Sequence, residues 1–179
     1  LQGGKSMLGR AESGQRATGL AADARAALLR GDYDATITAS QAGRRQFDAR
    51  ARLLWLATQI IHHANNVRPN PEKSKVGGHQ ASSASVVTIL TALYFSFLRP
   101  GDRVSIKPHA SPVFHAAQYL LGRLDRSYLP TLRAFGGLQA YPSRTKDADV
   151  VDFSTGSVGL GAVAPVFAAQ AARYVETRF

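Results

Sequence analysis

At 179 residues the chain has room for one domain with a substantial core and too little for two well-developed ones. Its 45% hydrophobic content fits a globular fold, the lack of cysteine excludes disulfides and thiolate chemistry within it, and no apolar run reaches the roughly 20 residues of a bilayer span. A net charge of +10 raises nucleic acid as a partner, but Arg25, Arg30, Arg44, Arg45, Arg50 and Arg52 are scattered without interleaved aromatics, so a solvated helix surface or a groove for a phosphorylated cofactor explains them better.

Residues 1–19 are rich in glycine, serine and charge, have no sustained period and read as a loop or extended arm. Gly4-Lys5-Ser6 has the look of a phosphate-loop ending, but the glycine such a loop needs upstream is missing, and chance is the better account. The chain begins with Leu1 and shows no secretory signal, so upstream residues are expected, with a reducing cytoplasm as the simplest compartment. A short helix is predicted over 21–30, ended by Gly31. A second, over 47–67, places Leu53, Leu54, Leu56, Ala57, Ile60, Ile61 and Ala64 at three- and four-residue spacing. His62 and His63 fall on its last turn, where cations suit the helix dipole. Adjacent helical residues point about 100° apart, which suits a shared metal poorly.

Pro69 and Pro71 break the chain ahead of Gly77-Gly78-His79. An apolar, buried helix is predicted over 83–98, a turn at Pro100-Gly101-Asp102 and a strand over 103–107 that delivers His109. Helices over 112–121 and 125–135 follow, then a loop through Tyr141, a short strand or extended entry to the glycine turn over 150–153 and a final helix over 160–177. Short strands alternating with longer helices predict an α/β fold, a three-layer parallel sheet flanked by helices, with helices dominating.

Three junctions carry the chemistry. Each lies where a predicted strand or loop hands over to a helix, the place where open α/β sheets bind anions. His79 stands between Gly78 and a serine-rich helix start with Ser82 or Ser83 as N-cap. It reads either as a polar group satisfying loop backbone or as an imidazole aimed at a substrate carbonyl or a moving proton. His109 is placed to donate to a phosphate. Gly156-Ser157-Val158-Gly159-Leu160-Gly161 opens a helix whose free N–H groups suit phosphate, although glycines at this spacing also serve close helix packing. His115, inside the following helix pattern, reads as structural.

Gly78-His79-Gln80-Ala81-Ser82, the stretch from Leu93 to Arg103, Lys107-Pro108-His109 and Thr155 to Gly161 resemble, in order and spacing, the amino-terminal part of the transketolase superfamily of thiamine diphosphate enzymes. His109-Ala110-Ser111-Pro112, Tyr119 to Leu124 and Leu138 to Pro142 are closer to one branch, the homodimeric pyruvate dehydrogenase component that decarboxylates a 2-oxo acid. The resemblance covers about residues 50–179. It implies an arm and short helix over 1–45, then the amino-terminal portion of a thiamine diphosphate-binding domain over 46–179.

By motif position the resemblance places His79 and Ser82 toward substrate, with Tyr141 reaching the same way. His109 and Lys107 would stand at the diphosphate, with Ser157, Val158, Gly159 and Leu160 lining the cofactor largely through backbone. Lys107 and Pro108 depart from the amide and glycine usual in that branch, which leaves the choice of 2-oxo acid open. The family's magnesium is held by a Gly-Asp-Gly motif and a later asparagine, oxygen ligands that this sequence lacks.

The expected cofactors are thus thiamine diphosphate and Mg²⁺, with metal ligands outside this chain. The chain reads as the first piece of a longer enzyme, or alternatively as one subunit of a split one, in a homodimer or hetero-oligomer with a possible lipoyl-bearing partner. Neither membrane nor nucleic acid is expected as a partner. Pyruvate dehydrogenase-like oxidative decarboxylation leads. Ketol transfer on a ketose and a non-catalytic scaffold keeping half a cofactor site are the alternatives.

Overall fold

The computed structural model describes residues 33–72 and 74–179, with side chains described from residue 48 onward. The expected arm, the helix over 21–30 and Gly4-Lys5-Ser6 lie outside them. Among the described residues, 33–53 and 87–102 fall in one compact unit, while Leu54–Val86 and Arg103–Phe179 fall in a second that holds every candidate site residue.

The first helix, α1 (Tyr33–His62), starts well before the predicted residue 47. Alanine, glutamine and arginine sustain a helix there without an apolar stripe to announce it, and Gly43 costs only about 1 kcal/mol. Farther along, Leu53, Ala57, Ile60, Ile61 and Ala64 are buried as the spacing requires. A wider, π-type turn, His63–Val67, closes the element, with the Arg68 N–H donating to the His63 carbonyl.

Helix α2 (Gln80–Ala92) likewise ends in a π-type turn, Leu93–Phe97. Its predicted burial holds for one face only: Val87, Leu90, Thr91 and Tyr94 are covered, whereas Ile89 is 64% exposed. Gln80–Phe97 does reach the length and composition of a membrane span, with a mean hydropathy of 1.2 over 18 residues and 28% of it buried. That corrects the reading of the sequence by apolar runs alone, which counted each threonine and serine as a break. The turn at Pro100-Gly101-Asp102 forms as predicted, and the Asp102 carboxylate accepts the Arg99 N–H at 2.8 Å.

Helix α3 (Ser111–Leu120) is the centre of the second unit, buried from Ser111 through Gln118. Proline in its first turn starts it, and Gly122, at φ +71°, ends it, with the Arg123 N–H reaching back to the Gln118 carbonyl. The helix predicted over 125–135 is only a 3₁₀ turn, Arg126–Thr131, capped by Asp125. Pro130 removes the N–H that a longer helix needs. The last helix, α4 (Leu160–Arg178), buries none of its residues, and Val163, Val166, Phe167 and Val175 stand exposed along it.

The helix-rich part of the expected architecture is what the described residues show; the three-layer parallel sheet is not seen among them. The segments predicted as strands over 103–107 and 150–153 are irregular. In place of a ladder bond, the Val104 N–H donates to the Asp152 side chain at 2.9 Å. Two short segments without further strands beside them gain too little from pairing to hold a ladder.

Candidate functional site

His79 is the residue immediately before α2, and its carbonyl accepts the Ser83 N–H at 3.0 Å. It therefore occupies the N-cap position expected of Ser82 or Ser83. The chain reaches it through Gly77 and Gly78, at φ +104° and +99°, backbone that side-chain-bearing residues rarely adopt. Asn65, in the π-type turn after α1, grips this approach from both sides. Its Nδ2 donates to the Gly77 carbonyl at 2.7 Å and its Oδ1 accepts the Gly77 N–H at 3.0 Å. Arg133 adds a bond to the Val76 carbonyl at 2.7 Å. Neither residue was legible as a site element in the sequence; an asparagine in a wide helical turn has no periodic signature.

His109 sits in the 3₁₀ turn Pro108–Ala110 that leads into α3. Its ring meets that of His79 edge-on, centroids 4.4 Å apart and planes at 75°. Tyr141 approaches His109 from another segment, at 5.6 Å and 71°. Ser157 comes from the glycine turn, with its Oγ 3.1 Å from His109 Nε2. Four residues from four separate segments thus form one cluster. His109 Nδ1 is shielded and has no hydrogen-bond partner among the described residues.

The remaining candidates surround this cluster unevenly. Ser82 lines, with His79, Asn65, Arg68 and Lys75, a cavity of about 840 Å³. Lys107 extends to Ser85 Oγ at 3.3 Å, tying its ammonium to α2. Val158, Gly159 and Leu160 are exposed at the head of α4, with no side chain capping its first N–H groups.

The two glycines of the turn differ in purpose. A Cβ on Gly159, at φ +86°, would meet open space, whereas one on Gly161 would lie 3.1 Å from Ser105 Oγ and 3.4 Å from Thr155 Oγ1. Gly161 serves close packing, and Gly159 leaves the helix start accessible. We expect Gly161→Ala to lower the unfolding midpoint without altering anion binding at the helix head. An anion titration followed at the Leu160 and Gly161 amides separates the two effects.

His115 proves structural, as read, but in a particular way. It is fully buried on α3, with Nδ1 2.7 Å from Asp149 Oδ2 and Nε2 3.1 Å from the Gln139 carbonyl. A carbonyl only accepts, so Nε2 carries a proton; Nδ1 faces a carboxylate. Burial pushes the imidazole pKa down. The Asp149 hydrogen bond, the charges of Asp149 and Asp147 and the Gln139 carbonyl outweigh it and hold the pKa above the usual histidine value. With Asp147 Oδ1 4.0 Å from Nε2, three side chains of metal-ligating type, one imidazole and two carboxylates, converge here within 4.8 Å. Both ring nitrogens of His115 face oxygen atoms, and both Asp147 oxygens already accept backbone N–H groups, so the three side chains form a hydrogen-bonded buried cluster.

The chain is similar to curated proteins named pyruvate dehydrogenase E1 component. It is 34% identical over 140 residues to that of Mycolicibacterium smegmatis, an alignment covering 72% of this chain and 14% of the relative. Identity is 30% over 138 residues with the Escherichia coli K12 protein, 72% of this chain and 15% of the relative. With the Corynebacterium glutamicum protein it is 30% over 164 residues, 82% of this chain and 17% of the relative. The chain thus spans 14–17% of the length of these relatives. No family model matches the chain, and no solved structure matches it.

Proposed function

We propose that this chain supplies one wall of a thiamine diphosphate site in a pyruvate dehydrogenase-like enzyme acting on 2-oxo acids. The observation that carries the reading is the convergence of His79, His109, Tyr141 and Ser157, drawn from four segments, into one cluster of edge-on rings and a serine hydroxyl. The relatives' name supports the direction of the chemistry. The donor set fits the diphosphate: an unpartnered His109 Nδ1, a serine hydroxyl and an uncapped helix start opened by a glycine whose Cβ direction is free.

In this reading His109, Lys107 and the backbone of Ser157, Val158, Gly159 and Leu160 bind the diphosphate, and Mg²⁺ is held by residues outside this chain. When bound, the cofactor supplies the electron sink for breaking the bond beside a ketone carbonyl. His79, held by its N-cap position and the clamped glycines, donates a hydrogen bond or proton at the substrate oxygen. Ser82 contacts the substrate from the adjoining cavity, while Tyr141 covers the far side of the histidine pair and excludes water. The enzyme would be cytoplasmic, assembled from this chain and a complementary part or subunit, with a lipoyl-bearing protein as its acceptor.

The test needs the assembled enzyme. We expect His79→Ala to lower turnover by about 10²- to 10⁴-fold, the range of a lost general acid or base, with little change in cofactor affinity. His109→Ala should instead weaken thiamine diphosphate binding in calorimetry by about 10- to 100-fold, as a lost charge-assisted bond would. The reverse pattern sinks these roles.

A further inference from the structure

The loop that carries Tyr141 is closed on itself by Asp147, and Asp149 beside it pairs with His115 on α3. The Asp147 carboxylate accepts the Gln139 N–H through one oxygen and the Ser143 N–H through the other, both at 2.7 Å. Tyr141 is midway between those two anchored amides. The Gln139 carbonyl in turn accepts from His115 Nε2, and Asp149, two residues beyond Asp147, bonds His115 Nδ1. Both ends of the Tyr141 segment therefore trace back to one imidazole, through backbone and carboxylate contacts. Tyr141 itself is 42% exposed, so packing around its own side chain does not fix where its ring lies.

We propose that His115, acting through Asp149, Asp147 and Gln139, is a positioning residue that holds Tyr141 against His109 and so sets one edge of the candidate site. Only the significance of Tyr141 for substrate rests on the function proposed above; the clamp itself follows from the contacts. Its consequence is that the Tyr141 edge responds to a residue on the buried core helix, and a change at His115 or Asp149 reaches the site with no contact to ligand.

The experiment uses the full chain, labelled for NMR, with Asp149→Asn and Asp147→Asn. In the unaltered chain both ring nitrogens of His115 should carry protons; an unprotonated Nδ1 overturns the proposal without any variant. In either variant the Tyr141 ring resonances should lose the ring-current shift caused by His109. The Gln139 and Ser143 amides should exchange on the order of tenfold faster or more, as local opening requires, while the Gly77 and Gly122 amides keep their protection. Two different substitutions guard against one failing to fold. Tyr141 and loop amides that stay at their original values in a folded variant overturn the proposal.

Thiamine diphosphate titrated with Mg²⁺ into the assembled enzyme separates the two readings. Absence of cofactor binding alongside a released Tyr141 removes the cofactor role and supports the clamp.

Discussion

Gly78→Ala is expected to destabilise the second unit by about 2–6 kcal/mol, combining a strained backbone of roughly 1–3 kcal/mol with overpacking of similar size. Position 78 is at φ +99°, and its Cβ would lie 2.9 Å from Ile61 Cγ1 and 3.1 Å from Cγ2. Ile61 is a core residue of α1 and cannot swing away as a surface side chain would. Gly101 gives the matched control: its φ is +96°, but a Cβ there meets nothing within 4 Å, so Gly101→Ala carries backbone strain alone. The difference between the two variants in denaturant unfolding isolates the Ile61 contact. Ile61→Ala combined with Gly78→Ala should cost less than the sum of the single changes; strict additivity would show that the two residues do not meet. Because His79 follows directly, the same substitution should disturb the His79 ring contact with His109.

The glycine requirement was readable as a pattern, but its reason was not. Gly77-Gly78-His79 stood out because two glycines before a helix start are informative by themselves. That Gly78 yields to Ile61, and Gly77 to the tip of Arg133, depends on contacts across segments that no local period encodes. The same division holds elsewhere. The stripe from Leu53 to Ala64 was legible because burial repeats with the helix, and α3 because proline and glycine bracket it. Val104 and Ile106 alternate like a strand, yet the alternation is equally served by Ile106 turning inward from an irregular segment. The run to Phe135 looked helical until Pro130 and the positive φ of Arg133 took effect. Of the site, the motif resemblance included His79, His109, Tyr141 and Ser157 among its candidates, and these four lie together in the structure. That resemblance did not show Asn65, Arg133 or the Asp147 and Asp149 pair, whose roles arise from loop geometry.

Breaking the buried pair should have an effect of similar size. Asp149→Ala leaves a charged or proton-starved imidazole in a site with no exposure, and losing one partner of such a pair costs about 3–5 kcal/mol. The pH dependence gives the sharper test. The folded pKa of His115 is raised above 6.5, so folding takes up a proton on this residue. Its stabilising contribution is therefore complete below the unfolded value of about 6.5 and is lost as pH rises through the folded value. Asp147 is also raised above its ordinary value of 3.8, chiefly by burial, so it too favours its protonated form in the folded chain. Unfolding measured from pH 6 upward should show stability declining on this limb, and His115→Gln should flatten that decline while lowering stability at pH 6. An identical slope in the variant would mean that the proton is not held at His115, and with it the buried pair would lose its charge.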